Sequence, residues 1–134
     1  MSYSKLCWWI YPNDTIALTG KGLALDNLGK YNEAIGLFNK TLAINPDYID
    51  ALKIKGLALG QLGRFNEAIT SVDKAIAINP NDAKTLTDKG VFLVALHKYS
   101  AAIGLFDKAL TIDPNVKGAI HFKSIALNGL NKTK

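Results

Sequence analysis

The sequence holds one cysteine, Cys7, so no disulfide can form within the chain. A lone thiol fits a reducing compartment and leaves stability to side-chain packing. Histidine is equally scarce: His97 and His121 lie 24 residues apart. With no close histidine pair and a single thiol, a zinc ligand set is not expected. Basic residues never run three together, although the net charge is +5. A scattered charge of this kind reads as a solvated surface, which argues against a nucleic-acid stripe. The apolar stretch Leu6-Cys7-Trp8-Trp9-Ile10-Tyr11 is too short for a signal-peptide core with its flanks or for a bilayer span. No glycine-rich phosphate loop follows a strand pattern, and no nucleophile, base and orienting group can be nominated. The expectation is a soluble, cytoplasmic protein that is not an enzyme and needs no cofactor, metal or membrane.

Proline is also sparse, and its placement organises the chain. The four prolines stand at Pro12, Pro46, Pro80 and Pro114, each 34 residues after the last. Units of that length align without gaps over 15–48, 49–82 and 83–116, with a partial unit at 117–134. The first two read TIALTGKGLALDNLGKYNEAIGLFNKTLAINPDY and IDALKIKGLALGQLGRFNEAITSVDKAIAINPND.

Each unit reads as two helices. In the second, Leu52, Leu59 and Leu62 recur at helical spacing, and a break follows at Gly63-Arg64. Phe65, Ala68, Ile69, Val72, Ala75, Ile76 and Ile78 then form one broad apolar face. Asn66 is the expected N-cap of that helix, with Glu67 at the positive end of its dipole. Asn32-Glu33 repeats the device, and Ser100 replaces the asparagine in the third unit. Asn79-Pro80 ends the helix, because proline disfavours helical geometry in the residue before it. Gly22, Gly56 and Gly90 share one register, twelve residues before Ala34, Ala68 and Ala102. Mid-helix glycine costs about 0.5–1 kcal/mol relative to alanine. Its recurrence points to close approach of the paired helices, with glycine expected to face alanine.

These residues carry a family resemblance. An apolar residue at position four, Gly at eight, an aliphatic at eleven, an aromatic at seventeen, Ala at twenty, a large apolar residue at twenty-four and Pro at thirty-two resemble the tetratricopeptide repeat. In the second unit they are Leu52, Gly56, Leu59, Phe65, Ala68, Val72 and Pro80; Leu18 to Pro46 and Leu86 to Pro114 repeat them. The resemblance covers about residues 15–130. It implies an all-α fold, a right-handed superhelix of antiparallel helix pairs, whose concave wall is lined by the first helix of each pair.

It also implies a function: a scaffold for protein-protein interaction that holds a peptide or helix in the concave groove. Carried onto this chain, the groove positions include Ile16, Thr19, Leu23, Asn27, Asp50, Lys53, Leu57, Gln61, Lys84, Thr87, Val91, His121 and Ile125. Leu23, Leu57, Val91 and Ile125 share position nine and form an apolar ladder suited to aliphatic anchors. The alternative is that these residues only pack between neighbouring first helices. Chaperone-tail receptors of the family use a carboxylate clamp of Lys and Asn, but the corresponding residues here are Thr19, Leu23, Ile54, Lys84 and Asp88. Only Lys84 fits, which argues against a chaperone C-terminal tail.

Both ends are partial repeats in this register. Lys117 to Leu130 keeps the first-helix pattern and reads as a cap over the third unit. Residues 1–14 form an arm in which Leu6, Cys7, Trp8, Ile10 and Pro12 align with the end of a second helix, as the remnant of a preceding repeat would. Trp8 and Trp9 are adjacent and cannot share one helix face. The expectation divides between a lid over the first unit and self-association into a homo-oligomer.

Overall fold

The computed structural model describes residues 14–132. Within that range the chain forms seven helices and no strand: α1 (Thr15–Asn27), α2 (Tyr31–Ile44), α3 (Ile49–Gln61), α4 (Phe65–Ile78), α5 (Ala83–Ala95), α6 (Tyr99–Ile112) and α7 (Ala119–Lys132). The fold is all-α, built from paired helices in the expected register. It divides into two compact units at Arg64 and Phe65. The first holds α1, α2 and α3, with α2 packed against both others. The second holds α4 to α7, each packed on the next.

The turn inside each pair is closed by backbone. After α1, Gly29 adopts φ +79° and the Lys30 N–H donates to the Leu25 carbonyl at 2.8 Å. This six-to-one bond is the Schellman arrangement, and the left-handed residue it requires is normally glycine. Gly63 (φ +75°) repeats it, with Arg64 N–H donating to Leu59 at 2.9 Å. His97 takes the same conformation at φ 62°, with Lys98 N–H donating to Leu93 at 2.9 Å. The turn is complete at Lys30, so α2 begins at Tyr31. Asn32 therefore lies inside the first turn and does not cap it, and Lys30 at the N-cap makes no side-chain capping bond. Asn66 and Ser100 likewise stand second in α4 and α6, which corrects the expected caps.

Side-chain caps occur on first helices instead. The Asp14 carboxylate accepts from the N–H groups of Ile16 (2.8 Å) and Ala17 (3.3 Å), and Asp82 accepts from Lys84 (3.1 Å) and Thr85 (3.3 Å). Between pairs, the residue before proline is extended, as at Asn45 (φ −136°, ψ 94°). Its side chain also turns the loop: Asn45 Oδ1 accepts from Asp47 N–H at 3.1 Å, and Asp113 Oδ1 from Asn115 N–H at 3.0 Å.

Gly22 and Gly90 are buried at a close approach, and the nearest side chain to each is a phenylalanine ring, not alanine. A Cβ on Gly22 would lie 2.6 Å from Phe38 Cε1, and one on Gly90 would lie 2.5 Å from Phe106 Cε1. Phe38 and Phe106 are fully buried, and each ring fills the space a first-helix side chain would need. Ala34, Ala68 and Ala102 are also fully buried, at a separate level of the same helices.

The α7 cap is seated by small residues. Ala119 and Ala126 join Leu93, Ala102 and Phe106 in one buried cluster. A Cβ on Gly129 would meet the Tyr99 ring at 2.5 Å, so α7 reaches α6 only because that position is glycine. Ion pairs reinforce the stack: Lys89–Asp73 at 2.7 Å joins α5 to α4, and Lys123–Asp107 at 2.6 Å joins α7 to α6. Asp73 and Asp107 share one repeat position, Lys89 and Lys123 another.

Candidate functional site

The residues implied to line a groove lie on the first helices, and their exposure differs by position. At position nine, Leu23 on α1 is 41% exposed, Leu57 on α3 38% and Ile125 on α7 39%. Val91 on α5 is half-buried. Asn27, Asp50, Gln61, Lys84 and His121 are exposed, and Lys53 is half-buried. These side chains surround the aliphatic residues with polar groups on each helix.

Position five behaves differently. Thr19 and Thr87 are buried. The Thr19 hydroxyl donates to the Thr15 carbonyl at 2.6 Å and lies 3.4 Å from the Thr41 hydroxyl on α2; Thr87 donates to the Ala83 carbonyl at 2.9 Å. A short β-branched side chain here satisfies its hydroxyl on its own helix and stays inside. The longer side chains of Lys53 and His121, at the same position, reach water. Thr19 and Thr87 are thus interior side chains of their own helices.

Ile16, which holds repeat position two, is 72% exposed and stands seven residues before Leu23 on α1. Gly20 lies between them, with no atom near where its Cβ would be. The three leave an open apolar strip on α1.

Two charged groups qualify the electrostatics. Lys84 Nζ lies 2.9 Å from Asp88 Oδ1, so the one clamp-like lysine is held by a carboxylate on its own helix. Asp26, beside Asn27 on α1, has a buried Oδ1 with no hydrogen-bond partner. Burial pushes its carboxyl above the ordinary 3.8. A raised carboxylate pKa means that the fold prefers the neutral acid. The penalty is absent below the ordinary value and fully present once pH exceeds the raised one. Asp26→Asn should therefore raise the urea midpoint at pH 7, with the gain shrinking as pH falls towards 4. An equal gain at both pH values would contradict this.

Among the described residues, no three His, Cys, Asp or Glu side chains stand together as a metal site. No described helix is long and apolar enough to cross a membrane. Trp8 and Trp9, the residues expected to drive self-association, lie outside the described residues.

Paired helices of this length, joined by Schellman turns and repeating Gly, Ala and Pro in one 34-residue register, define the tetratricopeptide class. The chain belongs to the family described as the Psidin N-terminal tetratricopeptide repeats region, whose model matches residues 21–125. Solved structures agree. The first tetratricopeptide domain of Spaghetti (RPAP3), bound to the HSP90 peptide SRMEEVD, is 25% identical with a TM-score of 0.84, covering 87% of this chain and 93% of its own. The first such domain of human RPAP3 is also 25% identical with a TM-score of 0.84, over 90% of this chain and 95% of that one. MamA from Desulfovibrio magneticus RS-1 is 24% identical with a TM-score of 0.81, over 97% and 79%. No curated protein matches significantly in sequence.

Proposed function

We propose that this chain is a protein-interaction scaffold that receives a peptide or amphipathic helix on the exposed faces of its first helices. One observation carries the reading: Leu23, Leu57 and Ile125 hold the same repeat position, and each remains more than a third exposed. Large aliphatic side chains set among polar neighbours on each first helix suit a ligand with apolar anchors. Membership of an interaction-repeat family, and a relative solved with a bound peptide, support the same class of function. The chaperone-type acidic tail carried by that relative is not the ligand proposed here. Thr19, Leu23 and Ile54 replace the clamp side chains, and Asp88 neutralises Lys84. The reading assigns the chain no catalysis.

Affinity capture from the source cell with the wild type and Leu57→Asp tests this. Leu57 is partly solvated, so the variant should keep its helical dichroism. It should weaken capture by roughly thirtyfold, as loss of an anchor worth about 2 kcal/mol would. Unchanged partners, or a variant that unfolds, would instead make Leu57 a packing residue. Capture that persists at high salt separates apolar binding from phosphate contacts.

A further inference from the structure

Asp26 on α1 is the one charged residue at its repeat position; its equivalents are Gly60, Val94 and Asn128. The repeat therefore packs without a carboxylate there. Its Oδ1 is buried with no hydrogen-bond partner, and the desolvated carboxyl costs the free chain stability once ionised. A side chain that burdens the fold while its charge meets no internal donor marks a place where packing has yielded to another demand.

That place adjoins an open surface. Residues three and four apart are neighbours on a helix, and Asp26 follows Leu23 by three, as Leu23 follows Gly20. Ile16 and Leu23 are exposed, and a Cβ on Gly20 would meet open space. Asp26 itself is half-buried, between this strip and the interior. The other charged groups on and beside α1 do not offset it. The Asp14 carboxylate caps the helix, and Lys21 stands two residues before Leu23, turned to another face.

We infer that the partner segment seated on Ile16, Gly20 and Leu23 carries a lysine or arginine that pairs with Asp26. The inference rests on the proposed docking to first-helix faces and adds the sign of the ligand's charge. Apolar anchors on the segment cover Ile16 and Leu23, and Gly20 lets its backbone or a side-chain stem come close to α1. A cation brought against the carboxyl favours its ionised form and removes the cost that burial imposes. This sign is opposite to the one the net charge of +5 would attract, so it is a property of the local site.

Fluorescence anisotropy of the full chain with three short helical peptides tests this. The peptides share leucine anchors at helical spacing and differ only in carrying lysine, glutamine or glutamate beside them. The wild type should bind the lysine peptide roughly tenfold more tightly than the glutamine peptide, as one charge-assisted hydrogen bond would give, and the glutamate peptide most weakly. Asp26→Asn should bind the lysine and glutamine peptides equally and fold at least as stably as the wild type. Ile16→Ser should weaken all three and keep the tenfold ratio, since Ile16 already faces water. A preference for glutamate, equal affinities in the wild type, or a ratio that survives Asp26→Asn would each overturn the basic partner and leave docking on first helices standing. Unchanged binding by Ile16→Ser would overturn the strip as its seat. Binding of none of the three peptides would remove docking on α1 itself, and the inference with it.

Discussion

Phe106→Ala should destabilise the protein by about 3–5 kcal/mol, read from urea denaturation. The ring is fully buried, and it fills the space beside Gly90. Gly90→Ala should itself destabilise the wild type by about 1–3 kcal/mol, because the added methyl would stand 2.5 Å from a ring that neighbouring side chains hold in place. In the Phe106→Ala background its sign should reverse. The methyl then enters vacated space, and alanine improves on glycine in a helix by about 1 kcal/mol. The two residues are thus strongly coupled, and a double-mutant cycle measures that coupling directly. Additive effects would mean that the ring and the glycine do not share one space.

Ala102→Leu and Ala68→Leu should each cost about 1–3 kcal/mol through overpacking. Both alanines are fully buried at the same repeat position, and Ala102 lies in the cluster that joins α6 to α7. Ala101→Leu is the matched control: it stands one residue earlier on α6 and is exposed. It should change stability by no more than about 0.5 kcal/mol. Unchanged melting temperatures for the buried pair would refute their placement.

The proline period and the glycine register made the helix pairs legible in the sequence, because helix ends and close helix approaches recur at one spacing. The partner of each glycine was not legible. A residue without a side chain reports that something is close, but not what; Ala34 and Phe38 on α2 were equally eligible. The expected asparagine caps failed for a related reason. The Schellman bond from Lys30 to Leu25 finishes the turn earlier than side-chain preference suggests. The ion pairs of Asp73 and Asp107 were not legible either, because their lysines stand sixteen residues onward, in the next repeat. In the candidate site, repeat register found the exposed aliphatic residues. It could not separate buried Thr19 from half-buried Lys53, since one position serves both and only side-chain length decides.

His97 shows what the shared turn leaves open. Its backbone matches that of Gly29 and Gly63, and its imidazole Nδ1 lies 2.6 Å from the Tyr99 hydroxyl outside the core. The hairpin is closed by main-chain atoms at all three corners, with glycine at two and histidine at the third. A side chain at such a corner meets open space but carries the backbone cost of a left-handed residue, which Gly29 and Gly63 avoid and His97 bears.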